Sequence, residues 1–249
     1  MFDSNLQSRS MPQFRYLWFL MLSFAMIISI SNWYDARLTS IFGLVLSPGA
    51  LSFPLSFILS DTITEIYGYK NARLAIWAAL LFNVLFLLFG QLVIHLPSPS
   101  FATNNQAFNK ILNLNMWIVC ASFVSYLASE PINAYLIAKL KIALSGKYMG
   151  IRFVSSTIIA AFVDSIIFIP IAYHGAVDTR HILIMILNIW VIKSVIEILC
   201  VPISIRVAKK LKSSEQVDIY DVNTKFNIFS LDANYSSSNN RYSDRGVAK

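Results

Sequence analysis

Six apolar stretches set the terms for this 249-residue chain: 16–31, 41–60, 74–96, 114–138, 153–173 and 182–205. A helix needs about 20 apolar residues to cross a hydrocarbon core of about 30 Å. The second to sixth stretches meet that length, and the first does so if it begins near Met11. Composition agrees: 56% of the residues are hydrophobic, 13% are charged, and the mean hydropathy is +0.60. Soluble domains carry about 25% charged residues, so a soluble globular enzyme, a disordered chain and a disulfide scaffold are all excluded. The expected fold is an all-α integral membrane protein with six transmembrane helices. Arg9 and Arg15 precede the first stretch as in a signal peptide, but no A-x-A-like site follows, so that stretch is expected to be kept as a span.

The net charge of +7 is unevenly placed. With the N-terminus in the cytoplasm, the inner segments hold twelve Lys and Arg residues (9, 15, 70, 73, 139, 141, 147, 152, 206, 209, 210, 212). The outer loops hold three, Arg37, Lys110 and Arg180. The positive-inside rule therefore puts both termini in the cytoplasm. His95, His174 and His181 fall at outer edges and read as solvent-facing. Cys120 and Cys200 lie in apolar runs and read as small buried hydrophobes. The chain divides into a cytoplasmic N-terminus (1–15), a six-span domain (16–207) and a polar, mobile cytoplasmic tail (208–249) that ends in the Ser/Asn-rich stretch 236–240. The segment 97–113 reads as an outer polar connector.

Two segments resemble each other. Residues 52–63 read SFPLSFILSDTI and residues 155–166 read SSTIIAAFVDSI, with Ser nine positions before Asp, then a hydroxyl residue, then Ile. They fall in the second and fifth stretches. A three-plus-three duplication would put the halves in opposite orientation, an inverted repeat with its site near the midplane.

Ionisable residues inside the spans carry the functional signal, because each costs about 2.5–3.5 kcal/mol or more at mid-membrane. Asp164 sits in the fifth span beside Ser165, Ser156 and Thr157. Lys193 and Glu197 in the sixth are four apart, on one helix face. Glu130 precedes Pro131 in the fourth, and Asp61 and Glu65 close the second. Phe53, Phe57, Trp117, Phe123, Tyr126 and Phe168 are in reach of mid-span. Together these suggest a polar pocket that would suit a flat, N–H-rich heterocycle. No P-loop, H-E-x-x-H or G-x-S-x-G motif is present, so no enzyme, cofactor or metal is expected.

Specific motifs add a resemblance. These are Asn32; S-F-P at 52–54; D-x-x-x-E-x-Y-G at 61–68; S-S-T at 155–157; V-D-S at 163–165; Lys193 with Pro202; and D-x-Y-D-x-x-T-x-F-N at 218–227. In these the chain resembles the queuosine precursor transporter family, also called the vitamin uptake transporter group. Ala161 stands where that family is associated with a Gln, and Ile228 departs from a closing F-N-P-F. The resemblance implies import of 7-cyano-7-deazaguanine and 7-aminomethyl-7-deazaguanine across a bacterial inner membrane. It implies a substrate site of Asp164, Glu130, Lys193, Glu197, Asn32 and Ser156. In it Asp164 and Glu130 take the N–H edge of the ligand, Lys193 meets the carbonyl oxygen or balances charge, and Glu197 orients Lys193. Asp61 and Glu65 would gate or couple at the cytoplasmic end. Partners are then the small-molecule substrate and the lipid bilayer, with no nucleic acid, and with a homo-oligomer or an energising module left open. The alternatives are a substrate-binding component that needs a separate ATPase module, and a carrier of another small heterocycle or vitamin.

Overall fold

The computed structural model describes residues 14–41 and 43–235. Arg9 and the 236–240 stretch lie outside them. The order is α1 (Leu17–Tyr34), β1 (Thr39–Ile41), β2 (Leu44–Leu46), α2 (Gly49–Ser52), α3 (Pro54–Ile94), α4 (Asn105–Ala143), α5 (Met149–Ala172) and α6 (Thr179–Glu215). Five of these helices are long and apolar enough to cross a membrane.

The expected second and third spans fall in one element. A straight 41-residue α3 would be about 62 Å long, twice a bilayer core. It is not straight, because Gly68 breaks it at φ +78°, ψ 169°. Four contacts show that the arm 69–94 returns alongside the arm 54–67. Gly49 abuts Asp35 at the C-terminal end of α1, and Asn32 at that same end donates to Asn83 at 3.1 Å. On α4, Asn133 bonds Asp61 in the first arm and Tyr126 bonds the Ile76 carbonyl in the second. Gly68 is required twice over: its φ is left-handed, and a Cβ there would stand 2.5 Å from the Tyr235 hydroxyl and 2.7 Å from Ile219 Cγ2.

The second stretch also begins later than expected. Strands β1 and β2 pair as a short antiparallel hairpin, Thr39 opposite Leu46, and Gly43 takes φ +80°. β-Branched Thr39, Ile41 and Val45 favour the extended form, and Pro48 bars the helix from starting earlier. Half of the expected outer connector is helical, since α4 starts at Asn105. Cys120 and Cys200 are half-buried and free rather than fully buried.

The interior mixes apolar clusters with buried polar and charged residues, while the flanks are largely apolar. Phe82, Phe86 and Phe89 on α3 and Leu187, Val191, Val195 and Leu199 on α6 are exposed. Met185, Ile189, Lys193, Glu197 and Ser204 on that same α6 are buried, at helical spacing. Water would reverse this arrangement, and lipid requires it.

One end of the bundle collects Lys70, Arg73, Lys141, Arg152 and Lys212, and is called the basic end below. There the tail departs from the expected mobile extension. Helix α6 runs past 207 to Glu215, and residues 217–235 pack against the turn at Gly68. The Ile219 amide donates to the Ile66 carbonyl, Arg73 donates to the carbonyls of Asn227 and Asp232, and Trp77 donates to that of Ile228. Val217 and Ile219 are buried, and Phe226 stacks edge-on against Tyr69 and Tyr135. A polar composition hid these few anchors.

Candidate functional site

Four helices bring ionisable side chains to the interior. The stripe Ser156, Thr157, Ala160, Ala161, Asp164, Ser165 of α5 is buried, and its small residues admit close helix approach. Asp164 Oδ2 accepts from Lys193 Nζ of α6 at 2.5 Å. Lys193 therefore pairs across helices with Asp164, and not with its own-helix neighbour Glu197. The same ammonium stands 4.1 Å from the centroid of Phe53, a cation–π contact. Phe53 meets Phe57 edge-on, and Ala160, Ala161 and Trp190 complete this wall. Ala161, the departure from the resembled pattern, thus lies at the aromatic wall.

Glu130 of α4 lies within electrostatic reach of both Asp164 and Lys193, with Ser60 of α3 beside it. Pro131 cannot donate to the Leu127 carbonyl, which locally loosens the helix that carries Glu130. Asp61 of α3 accepts from Asn133 Nδ2 at 2.6 Å and lies within reach of Glu197 and Glu130. Glu130, Asp61 and Glu197 are each 0% exposed. Neither oxygen of Glu197 accepts a hydrogen bond, nor does Asp61 Oδ2, Asn133 Oδ1 is equally unpartnered, and Glu130 has the Ser60 hydroxyl as the donor beside it. An unpaired ion buried in protein costs several kcal/mol, so these groups carry a requirement that the fold alone does not meet. With every carboxylate shielded, the conformation is occluded, and a ligand reaches the centre only if helices part.

Glu65 belongs elsewhere. It is the hub of an ion cluster at the basic end, paired with Arg152 and Lys212, each at 2.6 Å, with Lys141 Nζ 3.9 Å away. Lys141 and Lys212 also pair with Asp218 of the tail at 2.7 and 2.6 Å, and Lys141 donates to the carbonyls of Glu65 and Ile219. Burial pushes the Asp218 carboxyl up, but the two ammoniums outweigh it and hold the group below its ordinary value. The 61–68 motif therefore serves two places: Asp61 the centre, Glu65 and Gly68 the basic end, with the Tyr67 hydroxyl donating to Glu215 at 2.7 Å. The 218–227 motif is a docking sequence. Asp221 accepts from the Tyr69 amide at 2.9 Å and from the Tyr235 hydroxyl at 2.6 Å.

Of the sequence-derived residues, the structure gathers Asp164, Lys193, Glu130, Asp61 and Glu197. Asn32 instead ties α1 to Asn83, and Ser156 Oγ donates to its own helix at the Phe153 carbonyl. Trp117 and Phe123 face outward, Tyr126 spends its hydroxyl on Ile76, and the histidines are exposed. One carboxylate went unforeseen. Asp35 is buried just past α1, in reach of Lys193 and Asp164, with Oδ1 unpartnered. Its place in a short loop beside Arg37 reads as surface. The signal was Gly49, where a side chain would collide with the Asp35 carboxylate. Among the described residues no group of His, Cys, Asp and Glu is arranged to hold a metal ion.

Long apolar helices that hide a charged, occluded centre from lipid define a multi-pass membrane transporter. The family described as "Putative vitamin uptake transporter" matches residues 47–207, and the chain belongs to it. It is similar to the "Probable queuosine precursor transporter" of Bacillus subtilis (strain 168), with 21% identity over 201 residues that cover 80% of this chain and 86% of that one. It is also similar to the "Queuosine precursor transporter" of Escherichia coli (strain K12), with 24% identity over 170 residues, or 67% and 72% of the two chains. No solved structure matches.

Proposed function

We propose that this protein imports 7-deazaguanine precursors of queuosine, the 7-cyano and 7-aminomethyl forms, across a bacterial inner membrane. The two arms of α3 cross separately, which gives six spans. The basic end, with both termini, faces the cytoplasm, in keeping with the positive-inside rule. The observation that carries the reading is Glu130, a buried carboxylate with the Ser60 hydroxyl beside it and the Asp164–Lys193 pair within electrostatic reach. A guanine-like edge presents adjacent N–H donors that one carboxylate accepts together, and a ring carbonyl that an ammonium such as Lys193 meets. The Phe53–Phe57 wall offers the flat face such a ring stacks on. The names of the two relatives support the same substrate class.

The test uses cells that neither make queuosine precursors nor carry their own importer. Expressed alone and given dilute precursor, this protein restores queuosine to tRNA, read as a shift on a boronate gel. Glu130→Gln and Lys193→Met lose the shift at equal membrane abundance. A well-inserted wild-type protein that gives no shift overturns the reading.

A further inference from the structure

At the centre of the bundle the carboxylates outnumber the cations. Asp61, Glu130, Glu197 and Asp164 come from four different helices, and Asp35 approaches from beyond α1. Among the described residues the cation in reach of Glu130 is Lys193, and it is held at 2.5 Å by Asp164. Arg152, Lys141 and Lys212 are committed one turn further toward the basic end, to Glu65 and Asp218. The remaining ionisable neighbour of Glu130 on its own helix is Tyr126, whose hydroxyl donates to the Ile76 carbonyl. Fully ionised, Asp61, Glu130 and Glu197 would stand together at 0% exposure with no counter-charge of their own. Something positive accompanies them.

A metal cation needs several oxygens converging on one point. Among the described residues no three acidic side chains do so. A proton needs one oxygen, and it turns a carboxylate into an O–H donor that a neighbouring carboxylate, amide oxygen or hydroxyl accepts. Those acceptors are present: Asn133 Oδ1, unused, beside Asp61, and the Glu197 carboxylate within electrostatic reach of it. We propose that the Asp61 and Glu197 carboxyls, within electrostatic reach of each other, carry protons in the occluded state while Glu130 stays ionised for the ligand, and that these protons are the coupling ions, so the protein is a proton–substrate symporter. This rests on the transporter reading above. The cycle balances simply. A proton from the outer side joins a carboxylate oxygen, the neutralised centre closes, and on opening at the basic end that O–H bond breaks. The proton leaves with the substrate, the carboxylate is left behind, and nothing is oxidised or reduced.

Two measurements on the purified full-length protein decide this, and only one needs substrate. The first is the infrared spectrum at neutral pH. Wild type shows carboxylic-acid carbonyl absorption that shifts in deuterium oxide, and this absorption shrinks in both Asp61→Asn and Glu197→Gln. Its absence from wild type overturns the proposal. The second is uptake of labelled 7-cyano-7-deazaguanine into proteoliposomes containing a pH-sensitive dye. An inward proton gradient of one pH unit raises accumulation by up to about tenfold for each proton moved, the lumen acidifies as substrate enters, and a sodium gradient does nothing. Uptake that ignores the proton gradient, or follows sodium, overturns the coupling and leaves the transporter reading intact. The infrared bands with no uptake of this ligand overturn the substrate assignment instead.

Discussion

Glu65→Gln offers the sharpest test of how the basic end is built. The substitution keeps the shape and removes one charge from a carboxylate that is 0% exposed and bonded to Arg152 and Lys212, each at 2.6 Å. At about 4 Å between charge centres and an effective dielectric near 20, each such pair is worth about 4 kcal/mol of attraction. Much of that offsets desolvation, and what mutagenesis measures is the charge left alone. Arg152, at 0% exposure, would keep neutral acceptors, the Lys147 carbonyl and the new amide oxygen, but no counter-charge. Removing one member of a buried pair costs about 3–5 kcal/mol. That is a large share of a total stability of about 5–15 kcal/mol. The assay is reversible unfolding of the full-length protein in mixed micelles, followed by circular dichroism as the denaturing detergent fraction rises. Asp232→Asn is the control, since it breaks the Lys70 pair at a half-exposed carboxylate and leaves the midpoint unmoved. The double variant Glu65→Gln with Arg152→Met should lose less than the sum of the singles by at least about 1 kcal/mol, because the second change removes the orphan left by the first. A cost for Glu65→Gln below about 1 kcal/mol, as for a solvated pair, would refute the reasoning.

Gly68→Ala meets both a left-handed φ and the Tyr235 hydroxyl, so folded protein recovered from membranes should fall severalfold; Gly90→Ala, with 3.5 Å of clearance to Leu112, should leave it unchanged. Truncation after Gln216 removes Asp218, and Lys141 and Lys212 keep only Glu65 as a carboxylate partner; the thermal midpoint should drop, and an unchanged midpoint would show that the tail contributes nothing to stability. Asp218 is held below its ordinary value, so its contribution is present above the unfolded carboxylate pKa of about 3.9 and is lost as pH falls through the lower folded value. Protection of the Ile219 amide, corrected for intrinsic exchange rate, should therefore stay level from neutral pH to about 5 and collapse only below about 4. A decline that begins between neutral pH and about 5 would contradict this.

Much of the fold was legible because lipid imposes length and polarity in bulk. The apolar stretches became helices, and the ionisable residues inside them turned inward. The exceptions are places where a few atoms outweigh composition. The apolar character of 41–46 cannot distinguish a strand from a helix, and a turn at Gly43 with Pro48 behind it decides for the hairpin. Residues 217–235 are polar enough to read as mobile, yet their anchors are single groups: Asp218 on two lysines, Asp221 on an amide, and backbone carbonyls on Arg73. Asp35 was missed because its burial depends on Gly49, fourteen residues away and across a hairpin. Helical spacing reported which residues share a face, but not which neighbouring helix would claim them.

That limit shows most clearly in the two carboxylate-bearing pairs spaced four apart, and it separates structural charges from functional ones. On the sequence, Asp61 with Glu65 and Lys193 with Glu197 look like two local units. The structure splits each of them. Glu65 and Lys193 are claimed by partners on other helices, at 2.6 and 2.5 Å. Asp61 keeps one amide contact and one bare oxygen, and Glu197 accepts no hydrogen bond. One helical turn therefore separates a charge that fixes the packing from one that the packing leaves unfinished. A charge fully paired in the occluded state resists any movement that would separate it from its partner. A charge left unpaired there is stabilised by whatever ligand or proton completes it, and it favours opening when that is lost. Paired residues so define the bodies that move, and unpaired ones define what the movement responds to. By that criterion Glu65 belongs to the frame despite lying where a gate was expected, and Glu130, Glu197 and Asp61 belong to the mechanism.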